Sequence, residues 1–476
     1  MKNSQLSIDQ ALRKLKGKEL SVTELTENCL KIIKKNDHQI NAFITVCDDH
    51  ALTRARSLDR QIQKTKDVGQ LFKKHPLLGI PIALKDNFCT KGIKTTAASK
   101  VLADYVPAYD ATVTSRLLKA GAIIIGKTNL DAWAHGASGE NSDFGPTKNP
   151  WNLKMVAGGS SSGSAAAVVS GMALAATGSD TGGSIRMPAN FCGLVGLKPT
   201  FGRVSRYGVI AMASSFDSIG HLTKDALDSA QMLQVMAGND QNDSTTPSKK
   251  VPSYRSFFGQ DVRGLKLGIP REFFDQEIDP RVKSVIKKSL SDLEKLGLKL
   301  VDLSLPHSVY AVATYYILVP SEVSSNLERF DGIRYGFDRR RFSDEAKRRI
   351  MLGTYALSAG YYEAYYEKAM RVRNMIKKDV EKAFEKVDLI FAPVSPTLPF
   401  EIGKKVNDPL AMYLMDIYTC LANLAGIPSL AFPTGFAEGL PVGVQLMGPQ
   451  FEEEKLFQVV GAYQQQTDWH SKRPDL

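Results

Sequence analysis

The stretch from Ala157 to Gly193 reads AGGSSSGSAAAVVSGMALAATGSDTGGSIRMPANFCG. Its middle, SAAAVVSGMALAA, predicts a helix of small residues that runs into a buried strand. Two loops flank that unit, GGSSSGS and DTGGSIR. Glycine-rich loops of this kind can bring backbone N–H groups up to a negative charge. The stretch holds seven serines and no histidine, so a serine nucleophile here needs a different base.

The same alternation extends outward. About 65 N-terminal residues are helical in pattern, with Ser21 and Glu24 spaced as a capping box. LLGIPIALKDN predicts a strand ending at Lys85, and TSRLLKAGAIIIGKTNLD predicts helix, glycine turn and a strand over Ala122–Ile125. LKLGIP and LKLVDLSL read as strands around an amphipathic helix opened by Asp279-Pro280 and ended by Gly297. A long helix near 361–386, the strand DLIFAP, a helix near 409–425, the strands SLAFP and GVQLMGP, and a closing helix from Glu453 complete the pattern. This predicts an α/β fold with a central mixed β-sheet covered by helices on both faces. With no internal repeat or linker, one large domain is expected over 1–476: a helical segment about 1–65, a core about 75–225 and a C-terminal part about 226–476.

Composition narrows the function classes. The chain is 43% hydrophobic and 23% charged, with mean hydropathy −0.18. No apolar run reaches the roughly 20 residues of a membrane span, and the polar N-terminus has no signal-peptide core. Five scattered cysteines without CxxC spacing point to reduced thiols in a cytoplasmic protein. Seven dispersed histidines offer no metal-ligand pair. The net charge of +11 permits a polyanionic partner but reads first as a solvated lysine-rich surface.

Three short motifs compete for the chemistry. GAIIIGKT, Gly121–Thr128, matches a phosphate-binding loop, but its intervening residues are an apolar β-branched run, a strand and not a loop. Asp180-Thr181-Gly182 resembles an aspartic-protease triplet, yet no second triplet exists to share the proton. DTGGSIR remains. The amides of Thr181, Gly182 and Gly183 can approach a substrate closely, as an oxyanion hole requires, and Ser184 follows them directly. Lysine is the remaining base, provided burial keeps it neutral. Lys85 at its strand end is one candidate among many lysines.

Lys85, GGSSSGS and DTGGSIR together resemble the amidase signature family, and the spacing matches its lysine, middle serine and nucleophilic serine at 85, 160 and 184. FCGLVGLKPTFGRVSRYG, KRRIMLGTYALSAGYYEAYY, DPLAMYLMDIYT, NLAGIPSLAFPTGF and GLPVGVQLMGP carry the resemblance over nearly the whole chain. They are most similar to the glutamine-hydrolysing subunits of tRNA-dependent amidotransferases. The resemblance implies Lys85 as base acting through Ser160, whose preceding peptide bond is cis in the family, and Ser184 as nucleophile. It implies Arg349, with Arg348 as fallback, for the α-carboxylate of glutamine, Asp416 for the α-ammonium, and Tyr315 in the pocket. Asp180 and Arg186 read as a buried scaffold pair. Ser161, Ser162 and Ser164 read as turn and N-cap residues.

The resemblance further implies two partners, a B subunit and a small C subunit. The B subunit would bind Glu-tRNA(Gln), or Asp-tRNA(Asn), and use ATP and Mg2+; no cofactor or metal is expected in this chain. The sequence departs from the family pattern at DAWAHGASGENS, Asp131–Ser142, where DEFAMGSSTENS is usual. Ser162 stands in place of a glycine, and MPAN in place of QPAA. His135 lacks the carboxylate that a Ser–His pair needs. A stand-alone amidase for another small amide and a catalytically silent scaffold subunit are the alternative expectations.

Overall fold

Strand formation follows the apolar runs. In the computed structural model, which describes residues 5–333, 336–406 and 408–476, thirteen strands form among the described residues. They are β1 (Phe43–Val46), β2 (Pro81–Lys85), β3 (Ile123–Thr128), β4 (Lys148–Asn149), β5 (Asn152–Val156), β6 (Ala175–Asp180), β7 (Val195–Lys198), β8 (Ser218–Thr223), β9 (Lys266–Pro270), β10 (Lys299–Leu303), β11 (Leu389–Pro393), β12 (Ser429–Ala437) and β13 (Leu440–Met447). Eleven make one sheet in the order β1-β3-β2-β6-β8-β7-β12-β13-β11-β9-β10, and β4 pairs with β5 alone. The sheet is mixed. β3, β2 and β6 run parallel, as do β11, β9 and β10, while the middle of the sheet is antiparallel.

Both faces of the central strands are covered, which is why β2, β3, β6, β7 and β8 are buried at every position. On one face the helix Arg186–Cys192 lies so close that a Cβ on Gly196 would meet Ala189 at 2.6 Å. On the other, His221 of β8 bonds Ser229 of the helix Ala226–Met236 at 2.7 Å. The expected mixed sheet covered by helices on both faces is the one observed.

Local signals hold in several places. Ser21 and Glu24 form the capping box, and Asp279 caps a helix with Pro280 in its first turn. Two expectations fail. The N-terminal segment is not wholly helical, because β1 adds an antiparallel edge to β3. The helix expected near 409–425 is broken into Pro409–Tyr413, a 3-10 turn Leu414–Asp416 and Cys420–Ala425. Among the described residues no helix is long and apolar enough to cross a membrane, and all five cysteines are buried free thiols.

Candidate active site

Parallel pairing of β2 with β6 brings Lys85 beside Ser179. The Lys85 side chain is fully buried. Its Nζ donates to Ser160 Oγ at 2.8 Å and to Ser179 Oγ at 2.9 Å. Burial pushes the amine down to about 7, against the opposing pull of Asp131, Asp180 and Asp217. The next residue, Asp86, points to the opposite side of the strand, where it pairs with Lys127 at 3.1 Å. Lys127 also donates to Phe88 O at 2.9 Å and Thr95 Oγ1 at 2.7 Å. GAIIIGKT is therefore strand β3 with its lysine engaged inside the protein, and it forms no phosphate loop.

Ser160 follows a cis peptide bond from Gly159. Ser161 precedes the helix Ser162–Val169, but its hydroxyl makes no capping bond and turns to Ser179 O at 3.4 Å instead. Ser162 donates to Thr147 Oγ1 at 3.2 Å, and Ser164 donates to Thr177 O at 2.8 Å. These serines are buried in polar packing around the turn, and the expected side-chain N-cap is absent.

The DTGGSIR loop is arched by its own first residue. The Asp180 carboxylate reaches across to accept the Ile185 amide at 3.0 Å and Arg186 at 3.0 and 3.1 Å. Burial alone would raise this carboxyl, but Arg186 and Lys198 hold it below its usual range. Arg186 continues to Gln445 Oε1 at 2.8 Å and Asn423 Oδ1 at 2.7 Å. Inside the arch, the amides of Thr181, Gly182, Gly183 and Ser184 donate to no acceptor among the described residues. Such buried donors are costly unless a ligand or water takes them. A Cβ on Gly182 would strike the Tyr315 ring at 2.5 Å, and one on Gly183, at φ 150°, would strike Thr419 Oγ1. Thr181 donates to Asp217 at 2.6 Å, and burial pushes that carboxyl up to about 6. Ser184 is 7% exposed, and its Oγ bonds no described residue. The Lys85–Ser160 link is thus formed, while a Ser160–Ser184 hydrogen bond is not.

Beside the arch lies a narrow cleft lined by Tyr316, Glu345, Arg348, Arg349 and Tyr413 together with Gly136–Ser138. Arg349 is 3% exposed and donates its Nε to Glu345 at 2.8 Å, with its guanidinium over the rings of Tyr316 and Tyr413. Burial works against its charge, but Glu345 keeps it firmly protonated. Arg348 is the more exposed of the pair and also bonds Glu345. Asp416 accepts from the Tyr316 hydroxyl at 2.8 Å, and burial raises its carboxyl to about 7. It also borders the arch, 3.4 Å from where a Gly183 Cβ would sit. Arg349 and Asp416 therefore flank one site. Tyr315 lies beneath Gly182, and its neighbour Tyr316 lines the cleft. Sequence reasoning missed Tyr316 and Glu345; the i,i+4 spacing of Glu345 and Arg349 is the signal that could have found the latter.

His135 is buried with both ring nitrogens unpartnered, and burial beside Arg349 keeps it neutral. Among the described residues no carboxylate bonds it. In chemical terms, the centre offers an amine poised near neutrality, two hydroxyls and four amides with no acceptor among the described residues. That set suits acyl transfer through a serine ester.

The chain is similar over nearly its whole length to known proteins. Residues 24–457 match the family model described as Amidase. The chain is 50% identical to the A subunit of glutamyl-tRNA(Gln) amidotransferase from Marinomonas sp. (strain MWYL1), covering 99% of this chain and 98% of that one. The crystal structure of the corresponding A subunit from Thermotoga maritima superposes with a TM-score of 0.81 at 43% identity, covering 96% and 94% of the two chains. The peptide amidase from Stenotrophomonas maltophilia superposes with 0.83 at 30% identity, covering 98% of each. With its buried lysine, its serine turn and its arched amides in the matched region, the chain belongs to the amidase signature family.

Proposed function

We propose that this chain is the glutaminase subunit of a tRNA-dependent amidotransferase, which hydrolyses glutamine and supplies ammonia for converting Glu-tRNA(Gln) to Gln-tRNA(Gln). The observation that carries the reading is Lys85 Nζ at 2.8 Å from Ser160 Oγ, beside a loop whose four amides are free to receive an oxyanion. Near-50% identity to proteins named for that amidotransferase supports the partner assignment.

In this reading Ser184 Oγ attacks the side-chain amide carbon of glutamine. Its proton passes to Ser160 Oγ, and the Ser160 proton passes to Lys85 Nζ. The amides of Thr181, Gly182, Gly183 and Ser184 hold the tetrahedral oxyanion. Reversal of the relay protonates the leaving nitrogen, and ammonia departs. Water then attacks the ester to release glutamate and free Ser184. A base poised near neutrality serves both directions. Arg349 takes the α-carboxylate and Asp416 the α-ammonium. ATP, Mg2+ and the tRNA belong to a B subunit, with a small C subunit completing the assembly; Asp-tRNA(Asn) is the other acceptor of the same chemistry.

The test compares ammonia release from glutamine, asparagine and simple amides by the chain and by Ser184→Ala, with and without partner subunits. Release from glutamine that is lost in the variant supports the proposal. Preference for another amide without partners makes the chain a stand-alone amidase. Activity retained in Ser184→Ala defeats the mechanism.

A further inference from the structure

Asp131 opens the segment that departs from the family pattern, and it lies outside the site residues considered so far. Its side chain is fully buried. The carboxylate accepts the amide of Gly139 at 3.0 Å and that of Asn141 at 2.9 Å. Its own amide donates to Ser160 O at 3.2 Å. A Cβ on Gly136 or on Gly159 would collide with the carboxylate itself. Gly159 and Gly158 are further held to this segment, by Ala137 O at 2.7 Å and Ser138 O at 3.1 Å. The loop 131–142 and the turn GGSSSGS are thus wrapped around one carboxylate, with glycine wherever a side chain would displace it.

A buried carboxylate with only two amide donors keeps unsatisfied negative charge, and burial pushes this one up to about 6, so it is mainly ionised at neutral pH. Lys85 feels that charge across the turn without forming an ion pair with it. The other acidic groups facing Lys85 are engaged elsewhere. Asp180 is paired with Arg186, and Asp217 accepts Thr181 and the amides of Met212 and Ala213. Glu140 is the further acid near Asp131.

We infer that Asp131 is a positioning residue of the catalytic turn: it holds Gly159–Ser160 against Lys85 and supplies the counter-charge that sets where Lys85 gives up its proton. The inference rests on Lys85 and Ser184 being base and nucleophile.

The test measures the pH dependence of Ser184 labelling by a fluorophosphonate, which needs neither glutamine nor partner subunits. The unaltered chain should label with an acid limb that Lys85→Met abolishes. In Asp131→Asn, the midpoint of that limb should move to lower pH by roughly 1–2 units, the effect of one charge about 6–10 Å away at an effective dielectric of about 20. Asp131→Ser, which still accepts one amide, carries the same expectation should Asn not fold. No labelling of Ser184, or no acid limb, in the unaltered chain sinks the amidase reading itself. A normal limb whose midpoint stays put in folded Asp131 variants overturns only the inference about Asp131. Failure of both variants to fold assigns Asp131 to stability alone and overturns it as well.

Discussion

Replacing Arg349 by lysine keeps the charge and removes the planar fork. In the structure the guanidinium gives its Nε to Glu345 and lies 5.3 and 5.8 Å over two tyrosine rings, and no described residue accepts from its terminal nitrogens. A carboxylate bound there gains two charge-assisted hydrogen bonds, and lysine can keep one of them. Losing one such bond in a buried site costs about 1.5–3 kcal/mol, and losing the ring contact adds about 0.5–1 kcal/mol. A net loss of about 2–4 kcal/mol lowers kcat/KM for glutamine by roughly 30- to 800-fold. The contact is equally strong in ground and transition states, so the loss should appear as a raised KM with kcat nearly kept. Steady-state ammonia release from glutamine, run beside propionamide, reads this directly. Propionamide has no α-carboxylate, and its hydrolysis should not change. If both substrates fall together, Arg349 supports the fold of the centre and does not bind the carboxylate.

Lys85 must be neutral and Asp416 ionised for glutamine, and both groups sit near 7. Well below pH 7, kcat/KM should therefore fall about tenfold per pH unit for each group: about a hundredfold for glutamine and about tenfold for propionamide. Equal slopes for the two amides would show that Asp416 takes no part. Gly183→Ala drives a Cβ into Thr419 and strains a φ of 150°, so one oxyanion donor shifts. The expected loss in kcat is about 10²–10³-fold with an unchanged circular dichroism spectrum, and full activity would refute the assignment. Arg186→Leu strands Asp180 without its partner, which should lower stability by about 3–5 kcal/mol in chemical denaturation. An unchanged midpoint would show that the pair is not needed.

The strands around the centre were legible because β2 and β3 open on apolar runs and β6 follows the helix of small residues, with Lys85 ending its run. β1 was not, since FITV is four residues long and gains its strand identity only by lying along β3. The break at 414–416 carries no glycine or proline. It follows from tertiary demands, because Asp416 meets Tyr316 and Thr419 donates to Gly182 O. Those partners lie a hundred or more residues away, beyond the reach of local propensity. Tyr315 and Tyr316 differ by one position on a helix, and only the packing decides that one lies under Gly182 and the other faces the cleft. The resemblance supplied Lys85, Ser160 and Ser184 as a set; residue chemistry alone left Lys85 among many lysines.

The network behind the arched loop has a consequence for how the chain can be divided. Arg186 reaches Asn423 and Gln445, which lie 237 and 259 residues further along, and Gly182 is held by Thr419. The serine-rich segment is accordingly no portable cassette. Cut between the strand Lys266–Pro270 and the helix before it, the polypeptide would yield one piece bearing every reacting group and another bearing the props that shape them. Neither should hydrolyse an amide alone, and reassociation of the two should restore turnover.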